Sequence, residues 1–190
     1  IGLNLPVFSA APEAWPDSTN LPLVVINTHG VAISDDPKVT ADMKIIAHVG
    51  GFNKPGDAGN AYEGKIGIEY RGAYSQWLPQ KPYGFETRDA AGNNNNVSLL
   101  GMPAENDWIL LANYNDKVFM RNTLAFALFE GMGHYAPRTR LCEVIINDEY
   151  MGIFVLTEKI KHDKNRVDIA KLDRDDNAGD SLTGGYIFAV

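Results

Sequence analysis

The feature that most constrains the fold is a series of short β-prone runs, which are separated by turns that contain glycine and proline. Ile66, Ile68 and Tyr70 recur at every second position. They share one face of a strand, because successive side chains of a strand point to opposite sides. Tyr83 and Phe85 repeat this pattern a short distance later. The two runs predict neighbouring antiparallel strands joined by the loop between them.

Further runs have the composition of strands, since they are rich in β-branched and aromatic residues and are bounded by turn residues. They cover residues 21–28, 43–49, 141–147, 152–157 and 185–190. The sequence Asn-Asp-Glu-Tyr joins the third of these runs to the fourth. Such a join is typical of a hairpin.

One helix is predicted, over residues 117–132. Asp116 is a suitable N-cap, and Gly131 and Gly133 provide a stop. The helix carries a wide apolar surface formed by Phe119, Leu124, Phe126, Leu128 and Phe129. A surface of that width predicts that the helix is largely buried against a sheet.

Length and composition favour one domain. A chain of 190 residues with 45% hydrophobic content can bury one substantial core. The first twenty residues carry Pro6, Pro12 and Pro16 with little periodicity, so we interpret residues 1–20 as a lead-in or linker. The domain is expected to occupy residues 21–190.

Charge and hydropathy exclude two classes of partner. The net charge of −7 argues against a nucleic-acid-binding protein, which usually has a basic face. No apolar run approaches the roughly 20 residues that a membrane-spanning helix needs. The sequence therefore predicts neither a nucleic-acid partner nor a membrane span, and it leaves the oligomeric state open.

The sequence offers no metal site of its own. Asp173, Asp175 and Asn177 match the first three ligand positions of a calcium loop, but Ala178 occupies the position that requires glycine. The histidines have no metal-binding spacing, and no metal is assigned to them. Cys142 lies in a strand-like run, which predicts a buried and inert thiol.

The order of elements parallels the small lobe of a protein kinase. Two strands, the second preceded by Lys81, are followed by a helix and by a hairpin that ends at Glu158 and Lys159. Phosphoryl transfer depends on positioning and charge neutralisation, which Arg71, Lys81 and Lys159 can supply. The alternative is that each of these side chains is a solvated cation at a strand edge.

Ordered motifs resemble those of the spore-coat protein H (CotH) family, an atypical protein kinase group. The matching motifs are YRG at 70–72, KPYGFETRD at 81–89, LLGMP at 99–103, DWILLANY at 107–114, RN at 121–122, YAPRT at 135–139, NDEYMGIFVLTEK at 147–159, NRVDI at 165–169 and GGYI at 184–187. The resemblance extends from about residue 21 to the end of the sequence. So many motifs in one order make a chance match improbable.

The resemblance implies a fold and an activity. The expected fold is α+β: a kinase-like small lobe with a twisted, mostly antiparallel sheet and one long packed helix. The expected activity is phosphorylation of Ser on a partner protein with a Ser-rich segment, using ATP with Mg²⁺ or Mn²⁺. The family also implies a bacterial protein that is secreted or on the cell surface, as spore-coat proteins are. The rival interpretation is a non-catalytic surface or coat module that binds protein.

The resemblance and the residue types together assign candidate site residues. Lys81 and Arg71 are expected to be catalytic and to contact the phosphates. Arg121 and Asn122 are expected to support the nucleotide from the start of the helix.

Two further expectations concern the residues after the predicted hairpin and the C-terminal end of the domain. Glu158 and Lys159 are expected to form the adenine-side edge of the site, with Glu158 also a candidate ion-pair partner of Arg71. The family's metal-binding carboxylates are expected after residue 187, beyond Val190. The domain at 21–190 is therefore expected to be truncated at its C-terminus.

Overall fold

The computed structural model describes residues 17–188. The lead-in predicted for residues 1–20 therefore lies mostly outside the described residues. Within it, Thr19 forms a bridge with Asn53, and its hydroxyl donates a 2.9 Å hydrogen bond to Glu143 Oε1. The end of this segment thus already contacts the folded domain.

Seven β-strands form a closed barrel. They are β1 (Leu23–Asn27), β2 (Val39–Ile46), β3 (Tyr62–Tyr70), β4 (Tyr83–Arg88), β5 (Asp107–Leu111), β6 (Thr139–Ile146) and β7 (Glu149–Glu158). Their order around the barrel is β1-β2-β3-β4-β5-β7-β6. Strands β1 and β6 pair in parallel and close the barrel, whereas every other pair is antiparallel.

The core fills the inside of the barrel, because alternate side chains of each strand point inward. The inward set is almost wholly apolar and includes Val24, Met43, Ile66, Ile68, Phe85, Trp108, Val144, Phe154 and Leu156. On β3, β4 and β5 the intervening outward positions carry Glu69, Glu86 and Asp107. The pattern that builds the core thus also places a row of charges on the outer surface.

Two local predictions are confirmed. Strands β3 and β4 pair antiparallel, with Tyr70 opposite Tyr83. Strands β6 and β7 form the predicted hairpin, and its turn residues Asn147 and Asp148 have φ of 51° and 64°. Asparagine and aspartate tolerate such positive φ values better than most residues, which explains why they occupy this turn.

The helix prediction is wrong in length and in burial. Helix α1 spans Arg121–Gly131, and none of its residues is buried. Its apolar residues do not form one stripe: at about 100° per residue, Leu124 and Phe126 lie on nearly opposite sides of the helix. A surface of that kind cannot be buried against one sheet. A single further helical turn, α2, spans Asp180–Thr183.

The predicted fold class is also wrong. The expected kinase-like twisted sheet with a long packed helix is replaced by a closed barrel with a short exposed helix. Closure depends on the pairing of Leu23 with Glu143, a contact between distant segments that local patterns cannot reveal. The strand predicted at 185–190 is absent from residues 185–188. Among the described helices, none is long and apolar enough to cross a membrane.

Candidate functional site

A cleft of about 250 Å³ lies on the outer surface of the barrel, across β3, β4 and β5. Its polar lining comes from Lys38, Glu69, Arg71, Asp107 and Lys159. These residues lie on or next to four different strands, so the barrel itself sets their spacing. The cleft combines cations and carboxylates, with the backbone of Gly84 in its lining.

Gly84 keeps the floor of the cleft bare. On β4 it lies opposite Glu69 of β3. A Cβ atom at this position would be 3.4 Å from Glu69 Oε1 and 4.0 Å from Arg71 Cδ. The side chains of Glu69 and Arg71 therefore both extend across this glycine, and the absence of a side chain there leaves room between the strands.

The turn after β3 positions Arg71. The Arg71 amide donates a 3.2 Å hydrogen bond to the Pro82 carbonyl, which continues the pairing of β3 with β4. Gly72 follows with φ of 85°, and a Cβ atom there would clash with Ser75 Oγ. Only glycine meets both conditions easily, so the glycine of the YRG motif directs the chain away from the strand. The side-chain amide of Gln76 stabilises this turn by donating a hydrogen bond to the Gly72 carbonyl.

Lys38 is held between two glutamates. Its ammonium lies 3.2 Å from Glu69 Oε1 and 3.6 Å from Glu86 Oε2. Burial alone would lower the pKa of Lys38, but the bond to Glu69 and the charges of Glu86, Glu69 and Asp107 raise it overall. Lys38 therefore stays charged in the cleft.

Asp107 organises the opposite wall. Its carboxylate lies 2.7 Å from Lys161 Nζ and 3.8 Å from Lys159 Nζ. Lys161 is also paired with the buried Glu105 at 2.9 Å. The contact of Lys159 is the longer one and its side chain is 49% exposed, so a ligand can draw Lys159 from Asp107 at little cost.

Arg71 differs from the other charged residues of the cleft. Its guanidinium makes no hydrogen bond or ion pair to any residue among 17–188, although it is about half-buried. Burial lowers the pKa of Arg71, and the charge of Glu69 raises it by a smaller amount. The side chain remains cationic at neutral pH, and its planar set of N–H donors is not used by any residue among 17–188.

Glu158 is not the partner of Arg71, so that prediction is wrong. Its Oε1 accepts hydrogen bonds from Arg166 Nη1 at 2.8 Å and from Arg138 Nη1 at 2.9 Å. Its Oε2 accepts one from the Tyr135 hydroxyl at 3.3 Å. Burial, together with the charge of Glu158, raises the pKa of Tyr135. Glu158 is 1% exposed and does not line the cleft.

The structure brings Arg71 and Lys159 together but places the other candidates elsewhere. Lys81 Nζ lies 4.9 Å from the centre of the Tyr70 ring, which stacks on Tyr83. Arg121 and Asn122 begin the exposed helix α1, where Arg121 Nε is 3.7 Å from Asp116. No contact in the described residues brings these three to the cleft, and their nucleotide-binding roles stay predictions.

Sequence reasoning missed three charged residues of the cleft: Lys38, Glu69 and Asp107. For Glu69 and Asp107 a signal existed, since both occupy outward positions of strands whose inward neighbours are apolar. Lys38 had no such signal, because it lies in a polar connection just before β2. Its place depends on a tertiary contact.

Fold and cleft together define a β-barrel domain with a mixed-charge surface site, whose half-buried guanidinium pairs with no residue in the described part of the chain. The family model described as CotH kinase protein matches residues 68–189, which is more than half of the chain. The chain therefore belongs to the CotH kinase family, and the resemblance in its motifs is confirmed. A search of curated proteins gives no match.

Proposed function

We propose that this chain is the nucleotide-binding part of an atypical protein kinase and that its outer cleft binds the phosphates of ATP. Family membership supports a kinase-related function in general. The observation that carries the cleft assignment is the Arg71 guanidinium, half-buried and without a partner among residues 17–188. Removing a cation from water is costly unless it is compensated, so an anionic ligand is the natural complement.

The chemistry of the cleft suits a phosphate group. Arg71 presents a forked set of donors that matches two phosphate oxygens, and Lys159 adds a mobile point charge. Their contact with the ligand would neutralise the negative charge that repels an incoming nucleophile. In the proposed reaction the phosphate would pass to a Ser hydroxyl of a secreted or surface protein.

Mg²⁺ or Mn²⁺ would accompany the ATP. Within residues 17–188 no three His, Cys, Asp or Glu side chains are grouped in a way that fits a metal ion. The carboxylates of the cleft, Glu69 and Asp107, each already hold an ammonium group. The residues of the cleft are therefore assigned to the nucleotide and not to its metal.

Calorimetric titration with ATP tests this assignment. Wild-type chain should bind ATP, and Arg71→Met should bind it about ten- to a hundredfold more weakly, since a hydrogen bond to a charged group contributes about 1.5–3 kcal/mol. Lys159→Met should weaken binding in the same direction. The matched control is Arg174→Met, which removes an exposed arginine outside the cleft. If wild type and Arg71→Met bind ATP with equal affinity, Arg71 does not contact the phosphates.

The rival function is a protein-binding module. Tyr74 and Trp77 lie in the loop between β3 and β4 and are 70% and 87% exposed. Exposed aromatic side chains are common in protein-binding surfaces. If the chain binds no ATP, and Trp77→Ala abolishes its binding to a partner protein, the protein-binding module is the better explanation.

A further inference from the structure

We propose that Lys38 is a third phosphate-binding cation of the cleft and that it selects polyphosphate over monophosphate nucleotides. This inference rests on the function proposed above. Lys38 lies outside the segment at 68–189 that matches the family model. Its ammonium nevertheless reaches into the site, between Glu69 and Glu86 of the matched segment.

Two contacts hold the segment that carries Lys38 against the cleft. The Tyr70 amide donates a 2.8 Å hydrogen bond to the Ser34 carbonyl. The amide group of Gln76 donates a 2.7 Å hydrogen bond to Asp35 Oδ1. The first contact ties this segment to the residue before Arg71, and the pairing of Val39 with Ile68 sets Lys38 beside β3. The position of Lys38 is therefore part of the site and not that of a loose surface side chain.

The position of Lys38 in the cleft is not explained by a need to neutralise the charge of Glu86. Glu86 Oε1 already accepts hydrogen bonds from Arg88 Nη2 at 2.6 Å and from Arg88 Nε at 3.1 Å. Lys38 is the more distant cation of Glu86, at 3.6 Å. Its closer partner is Glu69, at 3.2 Å, so the ammonium depends mainly on one carboxylate.

Glu69 pairs with Lys38 and lies near Arg71 without a direct ion pair to it. Its charge also acts on the half-buried guanidinium of Arg71. Two cations therefore flank a single carboxylate on the same wall of the cleft. A ligand with several phosphate groups can span both cations, with Lys38 exchanging Glu69 for a phosphate oxygen. A single phosphate group is satisfied by Arg71 and Lys159 alone.

This arrangement makes two predictions that a purely structural role for Lys38 does not make. Lys38→Met should weaken ATP binding about tenfold, as expected for one charge-assisted hydrogen bond, and should leave AMP binding nearly unchanged. Glu69→Gln should strengthen ATP binding, because it removes the carboxylate that competes with phosphate for Lys38. In the double variant with Lys38→Met, this gain should be smaller.

Titration of the 190-residue chain with ATP and AMP tests the inference. Lys38→Arg should retain most of the preference for ATP, and Lys65→Met is the control, since Lys65 pairs with Asp42 outside the cleft. Circular dichroism would establish that each variant is folded. If Lys38→Met is folded and keeps the wild-type ratio of ATP to AMP affinity while Arg71→Met loses binding, the role of Lys38 is overturned and the cleft stands. If neither substitution changes ATP affinity, both proposals fall.

Discussion

Glu158 Oε1 accepts a 2.8 Å hydrogen bond from Arg166 Nη1, and both side chains are fully excluded from solvent. The guanidinium of Arg166 also stacks over the Trp108 ring, with its Cζ 4.8 Å from the ring centre. The pair thus joins the end of β7 to a segment that follows the barrel, with the largest core side chain beside it. Each residue of the pair belongs to a family motif: Glu158 to the motif at 147–159 and Arg166 to the motif at 165–169.

The first prediction is that Glu158→Gln destabilises the domain more than Arg166→Met. Glu158→Gln removes the one carboxylate that pairs with Arg166 and Arg138 among residues 17–188, and breaking a buried pair in this way costs about 3–5 kcal/mol. Arg166→Met leaves Glu158 paired with Arg138. It also removes Nε and Nη2, which have no hydrogen-bond partner among the described residues.

Urea unfolding of the two variants measures this difference. Arg138→Met is the matched control, because the Arg138 side chain is 34% exposed and its loss should cost less than the loss of Glu158. A larger loss of stability in Arg166→Met than in Glu158→Gln would contradict the assignment of Glu158 as the centre of the cluster.

The second prediction concerns the two glycines beside Arg71. Gly72→Ala should destabilise the domain, because its φ of 85° costs about 1–2 kcal/mol for a residue with a side chain, and the new methyl group would clash with Ser75. Gly84→Ala is the control for stability, since its Cβ would make only ordinary contacts. Thermal melting of both variants measures the difference. Equal melting temperatures would show that the turn does not need the left-handed conformation.

A third prediction uses Gly84 as a test of the cleft itself. Gly84→Val should fill the floor between Glu69 and Arg71 and weaken ATP binding, while valine's preference for strands protects the fold. Gly67→Val is unsuitable as a control because its Cβ would clash with Arg88. Gly56→Val is the better comparison, because a Cβ atom there would meet nothing within 4 Å and the position lies outside the cleft. Unchanged ATP affinity in a folded Gly84→Val variant would argue against the cleft.

The alternation of apolar residues predicted the antiparallel pairing at Tyr70 and Tyr83, and the turn residues between two apolar runs predicted the hairpin at Asn147. Both predictions succeeded because these contacts are between neighbours in sequence. The closure of the barrel could not be predicted in this way. It joins Leu23 to Glu143, and nothing in either segment specifies its distant partner.

The residues of the site also divide into those that local sequence patterns mark and those that depend on tertiary contacts. Arg71 was predicted because it directly follows an alternating strand, and the structure places it in the cleft with Lys159. The pairing of Glu158 with Arg71 was wrongly expected, because no local pattern marks Arg166 as the partner of Glu158. Lys38 was missed because a lysine in a polar connection has no periodicity, and only the folded barrel brings it to Glu69.

A fourth prediction is that stability falls as the pH rises above about 10. Burial alone would lower the pKa of Lys161, but its bonds to Asp107 and Glu105 raise it overall, and the pKa of Lys38 is raised in the same way. A cation with a raised pKa in the folded state stabilises fully below its unfolded pKa of about 10.4. That contribution is lost as the pH rises through the folded value.

Tyrosine ionisation acts in the same direction. Burial raises the pKa of Tyr62 to about 12, so the folded chain keeps a proton that the unfolded chain releases at lower pH. Urea unfolding between about pH 8 and about pH 11 should show this decline, and Lys161→Met should show a shallower one. A stability that is constant or rises over this range would contradict the ion pairs of the cleft.

The central claim is that the Arg71 guanidinium contacts phosphate, and NMR of the arginine Nε–H groups tests it most directly. The Arg71 signal is assigned by its loss in Arg71→Met. On titration with ATP it should shift and saturate, while the buried Arg166 signal, already committed to Glu158, should stay in place. An Arg71 signal that does not move at saturating ATP would contradict the account.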